Sequence, residues 1–257
     1  MPTAIDLSGK GAIIFGVANR RSIAWAIARQ FHEAGAHLTL TYQNERLKRG
    51  VTELIDGLAR AASVECDVTD QQALRAAFEV AAAHAPLTTV VHSVAFAQRE
   101  DLDGDFSAVS LEGFRTALEV SAYSLIPMVR LAAERMPEGG SVITLTFGRG
   151  ERVFPGYNVM GVAKAALENE VRQLAAEYGA RNIRVNAISA GPLNTLAARG
   201  IHSFTDFERI YAERSPLRRN ITHEEVGKAA LFLASDLASA VTGTVLPVDG
   251  GYHVMGV

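Results

Sequence analysis

The sequence predicts an α/β protein in which helices cover both faces of one parallel sheet. Seven short apolar runs alternate with segments of helical period. No linker, repeat or low-complexity tract interrupts that alternation.

The runs fall at 12–17, 38–42, 63–66, 89–94, 141–146, 184–188 and 244–248. Several are almost continuously apolar, as strands covered on both faces should be. Between the first two, Ser22 can cap a helix whose apolar positions Ile23, Ile27 and Phe31 recur at a spacing of four, and Gly35 stops it. Asp70 can open a second helix, with Leu74 and Phe78 facing inward. A long helix is expected over 111–136, with a kink at Pro127 or a break near Ile126. The segment 157–178 reads as a helix burying Leu167, Val171 and Leu174, and 224–233 as the last one. Seven parallel strands joined by right-handed crossovers give a Rossmann-like doubly wound sheet with helices on both faces. We expect a single domain over 1–257, with ligands beyond the carboxyl ends of the strands.

Composition narrows the function classes. Twenty-five basic against 28 acidic residues leave a net charge of −3, so no electrostatic case exists for nucleic acid or an anionic membrane. With 48% hydrophobic and 21% charged residues, the chain has ample material for a core. Cys66 is the one cysteine, which excludes an intrachain disulfide and any cysteine-cluster metal site, and suits a reducing compartment. The apolar stretch 11–18 is too short for a membrane span and is bounded by glycine and arginine rather than by a leader's flanks. The expectation is a cytoplasmic protein with no membrane, nucleic-acid or metal partner.

The first turn, Gly16-Val17-Ala18-Asn19-Arg20-Arg21-Ser22, suits a dinucleotide. Gly16 permits a sharp turn, and a helix starting at Ser22 points free N–H groups at a pyrophosphate. Only the first glycine of G-x-G-x-x-G is present, so an ordinary strand-to-helix turn is an equal reading at this point. Gln43 ends the second strand, where an acid would bind a ribose diol and an arginine a 2′-phosphate. A neutral amide favours NADH, while Arg46 and Lys48 nearby keep NADPH open as the less favoured cofactor. Asp67 can accept from an adenine amino group or cap the next helix. His92, in the fourth strand, reads as a packed residue rather than a proton donor.

Tyr157 and Lys164 are seven apart, which returns a helix to nearly the same face two turns along. A lysine there can hold ribose hydroxyls and set positive charge near a phenol. These residues, with Ser22-Ile23-Ala24, Thr41-Tyr42-Gln43-Asn44, Asp67-Val68, 184–192, Thr195-Leu196-Ala197 and Val248-Asp249-Gly250-Gly251, resemble the short-chain dehydrogenase/reductase superfamily, and within it the enoyl-acyl-carrier-protein reductases. The resemblance spans essentially the whole chain. It implies NADH-dependent reduction of the trans-2 double bond of an enoyl thioester in fatty-acid elongation. The implied partner is an acyl-carrier protein bearing the enoyl chain, and the implied assembly is a homotetramer.

Under this resemblance Tyr157 and Lys164 are the catalytic residues. The cofactor would contact Gly16, Ser22, Ile23, Gln43, Asp67, Val68 and Val94, then Lys164, Leu193 and Thr195. The substrate would contact Ala97, Tyr157, Met160, Leu196 and Ala197. Carbonyl-reducing relatives place the phenol at the position of Met160. Moving it by three residues, about 4.5 Å on an ideal helix, suits an oxyanion remote from the carbon that receives hydride. The second tyrosine common in these reductases is replaced by Phe147, so no hydroxyl role carries over to that position. The segment at about 193–204 is the expected lid, with Leu193, Leu196, Ala197, Ala198 and Ile201 as its apolar surface. Arg218 and Arg219 can dock an acidic carrier protein or form a plain surface pair. Two other functions stay open: a 3-oxoacyl or carbonyl reductase of the same superfamily, and an NAD(H)-sensing protein without turnover.

Overall fold

Strand periodicity assigns each apolar run to two cores at once. In β1 (Gly11–Phe15), Ile13 and Phe15 enter one core and Ala12 and Ile14 the other. The computed structural model describes residues 5–150, 152–196 and 204–256, and there the remaining strands are β2 (His37–Tyr42), β3 (Ala61–Glu65), β4 (Leu87–His92), β5 (Gly140–Phe147), β6 (Ile183–Ala190) and β7 (Val245–Val248). All pair in parallel, in the order β3-β2-β1-β4-β5-β6-β7. The seven expected strands are present. The largest overshoots are two residues long: β1 stops before Gly16, whose φ of +89° turns the chain, and β4 stops at His92.

One face is covered by α1 (Ile23–Glu33), α2 (Glu45–Ile55) and α8 (His223–Ala234), which bury Ile27, Phe31, Val51 and Leu233 against the sheet. The other is covered by α3 (Gln71–His84), α5 (Leu125–Arg135) and α6 (Asn158–Tyr178), through Phe78, Met128 and Leu167. Phe31 and Phe78 are fully buried, and burying each such side chain stabilises the fold by roughly 1.5–3 kcal/mol. Asp70 caps α3 by accepting from the backbone N–H groups of Gln72 and Ala73, as expected. Ser22 sits at the N-cap of α1 but makes no side-chain cap; its hydroxyl donates to the Asn19 carbonyl at 2.6 Å. The helices α2 and α7 (Phe204–Arg214) went unassigned in the sequence, because each buries only two residues.

The helix expected over 111–136 is interrupted, but not at Pro127. It consists of α4 (Leu111–Leu118), a π-helical turn (Glu119–Tyr123) and α5. Pro127 is the third residue of α5, where its missing N–H costs little. The wide turn places the Ser121 hydroxyl against Phe96, accepting from its N–H at 2.9 Å and donating to its carbonyl at 3.1 Å. That double contact fastens the loop after β4 beside α6.

Candidate active site

The strand order reverses between β1 and β4, so the loops leaving these strands diverge and open a crevice at their carboxyl ends. Gly16 lines it at a very close approach. A Cβ there would lie 2.0 Å from the Ser93 carbonyl oxygen and 3.5 Å from Val94. Only glycine lets the turn pass this near the exit of β4. The Ser22 hydroxyl is occupied with Asn19, which leaves the first N–H groups of α1, at Ile23 and beyond, facing the turn without that cap. These features fit a pyrophosphate at the helix N-terminus.

Gln43 and Asp67 close one end of the crevice. They lie at the ends of β2 and β3, and the Gln43 amide donates to Asp67 Oδ2 at 3.4 Å. Asp67 Oδ1 accepts from the Thr69 N–H at 2.9 Å and from its hydroxyl at 2.7 Å. Partial burial opposes the charge of Asp67, yet the bonds from Thr69 and Gln43 hold its carboxyl below the usual value. The helix-cap reading of Asp67 is therefore corrected: Asp70 caps α3, and Asp67 forms the turn before it. Val68 is buried beside Asp67, and Val94 packs on the same core. Lys48 is paired with Glu45 at 3.1 Å, while Arg46 is exposed.

Tyr157 and Lys164 both lie near the end of β5, Tyr157 against the Phe147 ring and Lys164 on the Leu145 carbonyl. Lys164 is 5% exposed, and its ammonium donates to the Leu145 carbonyl at 2.8 Å. Burial pulls its pKa down to about 8, against the charge of Glu168, which acts upward. Tyr157 is 8% exposed, and burial together with Glu168 pushes its phenol above the ordinary tyrosine value. The phenol thus keeps its proton at working pH. Tyr157 is not inside the helix as the ideal-helix estimate assumed. It is the N-cap of α6, and Asn158 follows with φ +21°. Backbone geometry at this corner, rather than helical rise, sets where the hydroxyl lies.

Met160 and Tyr157 share a small buried cluster with Leu102 and Ala163, against which Ala97 and Phe147 pack. The expected substrate residues Ala97, Tyr157 and Met160 are thus brought together. Phe147 meets Tyr157 edge-on at 5.3 Å and also contacts Phe154, Phe207 and Tyr211. Leu193, directly after β6, is buried in the core beneath α1 and α8 rather than on a free surface. Thr195 is half-buried and Leu196 is exposed. Ala197, with Ala198 and Ile201 of the expected lid, lies outside the described residues.

His92 is a packed residue, as its sequence reading held. Its Nδ1 lies 2.8 Å from the Thr144 hydroxyl and its Nε2 2.8 Å from the Ser124 hydroxyl. Ser124 donates to the Val120 carbonyl, which leaves it to accept from Nε2 of a neutral ring, while the Thr144 hydroxyl is shared between Nδ1 at 2.8 Å and the His92 carbonyl at 3.3 Å. Burial and the nearby Lys164 charge push its pKa down to about 3, so it carries no charge in use. Sequence reading missed the buried carboxylate Glu168, which accepts from the Thr146 hydroxyl at 2.7 Å. Its signal was the spacing of four from Lys164. Of the two arginines considered for docking, Arg219 is bound to Glu225 at 2.6 and 3.0 Å, and Arg218 donates to the Glu213 carbonyl. Among the described residues no group of three or more histidine, cysteine or carboxylate side chains is placed to hold a metal ion, and no helix is long and apolar enough to cross a membrane.

Residues 16–253 match the family model described as enoyl-(acyl carrier protein) reductase. An NADH-type enoyl-[acyl-carrier-protein] reductase of Bacillus cereus is 51% identical over 253 residues, covering 97% of this chain and 99% of that protein. A crystal structure of the Bacillus cereus enoyl-acyl carrier protein reductase with NADP+ and indole naphthyridinone superposes with a TM-score of 0.95 at 50% identity, covering 98% of this chain and 99% of that one. The enzyme of Anaplasma phagocytophilum in complex with NAD gives a TM-score of 0.94 at 44% identity, covering 100% of this chain and 98% of that one.

Proposed function

The chain belongs to the enoyl-(acyl carrier protein) reductase family, and from that premise we propose that it reduces the trans-2 double bond of an enoyl thioester, carried on acyl-carrier protein, in fatty-acid elongation. The observation that carries this reading is the burial of both Tyr157 and Lys164 near the end of β5, with Met160 where a carbonyl reductase would need its phenol.

NADH, when bound, supplies the hydride that is added to Cβ of the enoyl group. The residues fit such a cofactor: Gly16, Ser22 and Ile23 would hold its pyrophosphate, Gln43, Asp67, Val68 and Val94 its adenosine portion, and Lys164, Leu193 and Thr195 its nicotinamide end. Tyr157 then donates a hydrogen bond or proton to the thioester oxygen, where negative charge develops. Its raised pKa keeps the proton available for that purpose. Lys164 orients the ribose and adds positive charge near the phenol. Ala97, Met160 and Leu196 form the apolar wall for the acyl chain. Addition of a solvent proton at Cα, with any proton on the oxygen returned to the Tyr157 oxygen, regenerates the carbonyl and completes the saturated thioester.

The whole chain acts as one dinucleotide-binding and catalytic unit, with the segment at about 193–204 as its lid. The continuous seven-stranded sheet supports this, since residues from five of its strand ends contribute to the site. The working assembly is a homotetramer in the cytoplasm, which a solution mass of four chains by light scattering would check. Exposed apolar side chains along α4 to α5, at Leu111, Tyr123 and Ile126, are available for such contacts.

Loss of NADH absorbance with crotonyl-CoA, compared with a 3-oxoacyl thioester, tests the reaction. Turnover of the enoyl compound is the expected result. Turnover of the 3-oxo compound alone would make the chain a carbonyl reductase, and NADH binding without turnover of either would make it a sensor.

Cofactor choice follows from Gln43, whose amide can bond a ribose hydroxyl but cannot neutralise a 2′-phosphate. Gln43→Arg should raise the NADPH/NADH ratio of kcat/KM by about tenfold. Asp67 limits the gain, because its Oδ2 lies 3.4 Å from the present amide and would compete for a guanidinium. An unchanged ratio in steady-state assays with the two cofactors would place the determinant elsewhere.

A further inference from the structure

Lys164 is a buried cation, and burial alone would drive it toward the neutral form. A negative charge must therefore stand near it if the ammonium is to persist through turnover. Glu168 meets that need. It lies one helical turn beyond Lys164 on the same face of α6 and is 3% exposed. Oε1 accepts from the Thr146 hydroxyl at 2.7 Å, next along β5 from the Leu145 carbonyl that receives the lysine. Oε2 lies against the turn after β5, where a Cβ on Gly150 would come within 3.2 Å of it. The carboxylate is thus fixed between β5, its following turn and α6.

We propose that Glu168 is a positioning residue for Lys164: its anchored carboxylate keeps the ammonium charged and directed at the end of β5. The inference rests on Lys164 acting in the reaction as described above. The other groups facing the lysine do not supply this charge. His92, from β4, is neutral, and Tyr157, from the start of α6, keeps its proton. Glu119 and Tyr123 of the π turn are exposed, and the side chain of Arg149 lies outside the described residues. The effect of Glu168 on Lys164 is upward, and the lysine settles at about 8 rather than lower. Lys164 is therefore charged below about pH 8 and loses its charge as pH rises through that value.

The test is the pH profile of kcat/KM for crotonyl-CoA with saturating NADH. Glu168→Gln keeps the hydrogen bond from Thr146 and removes the charge. The alkaline limb should move about one unit lower, giving roughly a tenfold loss above the new limb and little change on the acid side. Glu168→Asp keeps the charge with a shorter reach, and its limb should stay within about 0.3 unit of wild type. A folded Glu168→Gln protein with an unmoved limb overturns the proposal. So does an Asp variant whose limb moves by a full unit, and that arm decides the matter if the Gln variant does not fold. Lys164→Ala separates the two levels of the argument. If the alkaline limb survives unaltered in Lys164→Ala, the role of the lysine itself is wrong; if it disappears there yet stays put in Glu168→Gln, only the role of Glu168 is.

Discussion

Tyr157→Phe should lower kcat for crotonyl-CoA by about 10²- to 10³-fold, while the Kd for NADH stays within about twofold. The ring is retained, so its edge-on contact with Phe147 at 5.3 Å and its place in the cluster with Met160 and Leu102 survive. Folding should accordingly be unaffected. Only the hydroxyl is lost, and with it the donor for the developing oxyanion. No second phenol stands at residue 147 to replace it, because that ring is phenylalanine. Stopped-flow turnover and fluorescence titration of NADH separate the two quantities. An unchanged kcat would remove the phenol from the chemistry, and a matching loss of NADH affinity would make Tyr157 a cofactor contact instead.

The sheet was legible because parallel strands covered on both faces must be almost wholly apolar. The run leading to Gly16 shows this. Residue types at the strand ends were also legible, since Gly16, Gln43 and Asp67 each have few physical uses at those places. What escaped was set by contacts distant in sequence. The π turn depends on Ser121 reaching the backbone of Phe96, 25 residues earlier, and no helical period encodes that. By sequence Glu168 is one more charge on an amphipathic helix, and its partner Thr146 lies 22 residues away. The position of the Tyr157 hydroxyl escaped for a third reason. A spacing of seven fixes a face only while the helix persists, and Tyr157 stands at the corner before it begins. The displacement of an ideal helix therefore does not fix where that hydroxyl lies.

Lys164→Ala should harm binding and chemistry together, in contrast to Tyr157→Phe. A charged donor to a ribose hydroxyl contributes about 1.5–3 kcal/mol, so the Kd for NADH should rise roughly 10- to 100-fold. The positive charge near the phenol is lost as well, and kcat should fall by a further factor of about 10 to 100. Lys164→Arg should not restore either value. The lysine is 5% exposed, with its nitrogen held at 2.8 Å by the Leu145 carbonyl, and a longer planar guanidinium does not reproduce that point contact. The variant also removes the group that titrates at about 8. Wild-type activity should decline as pH rises through that value, whereas the residual activity of Lys164→Ala should run level across it. NADH titration at fixed pH and a pH series of initial rates measure both effects. If affinity for NADH is intact, the lysine does not hold the ribose. If the wild-type decline is absent, its charge is not what the reaction uses.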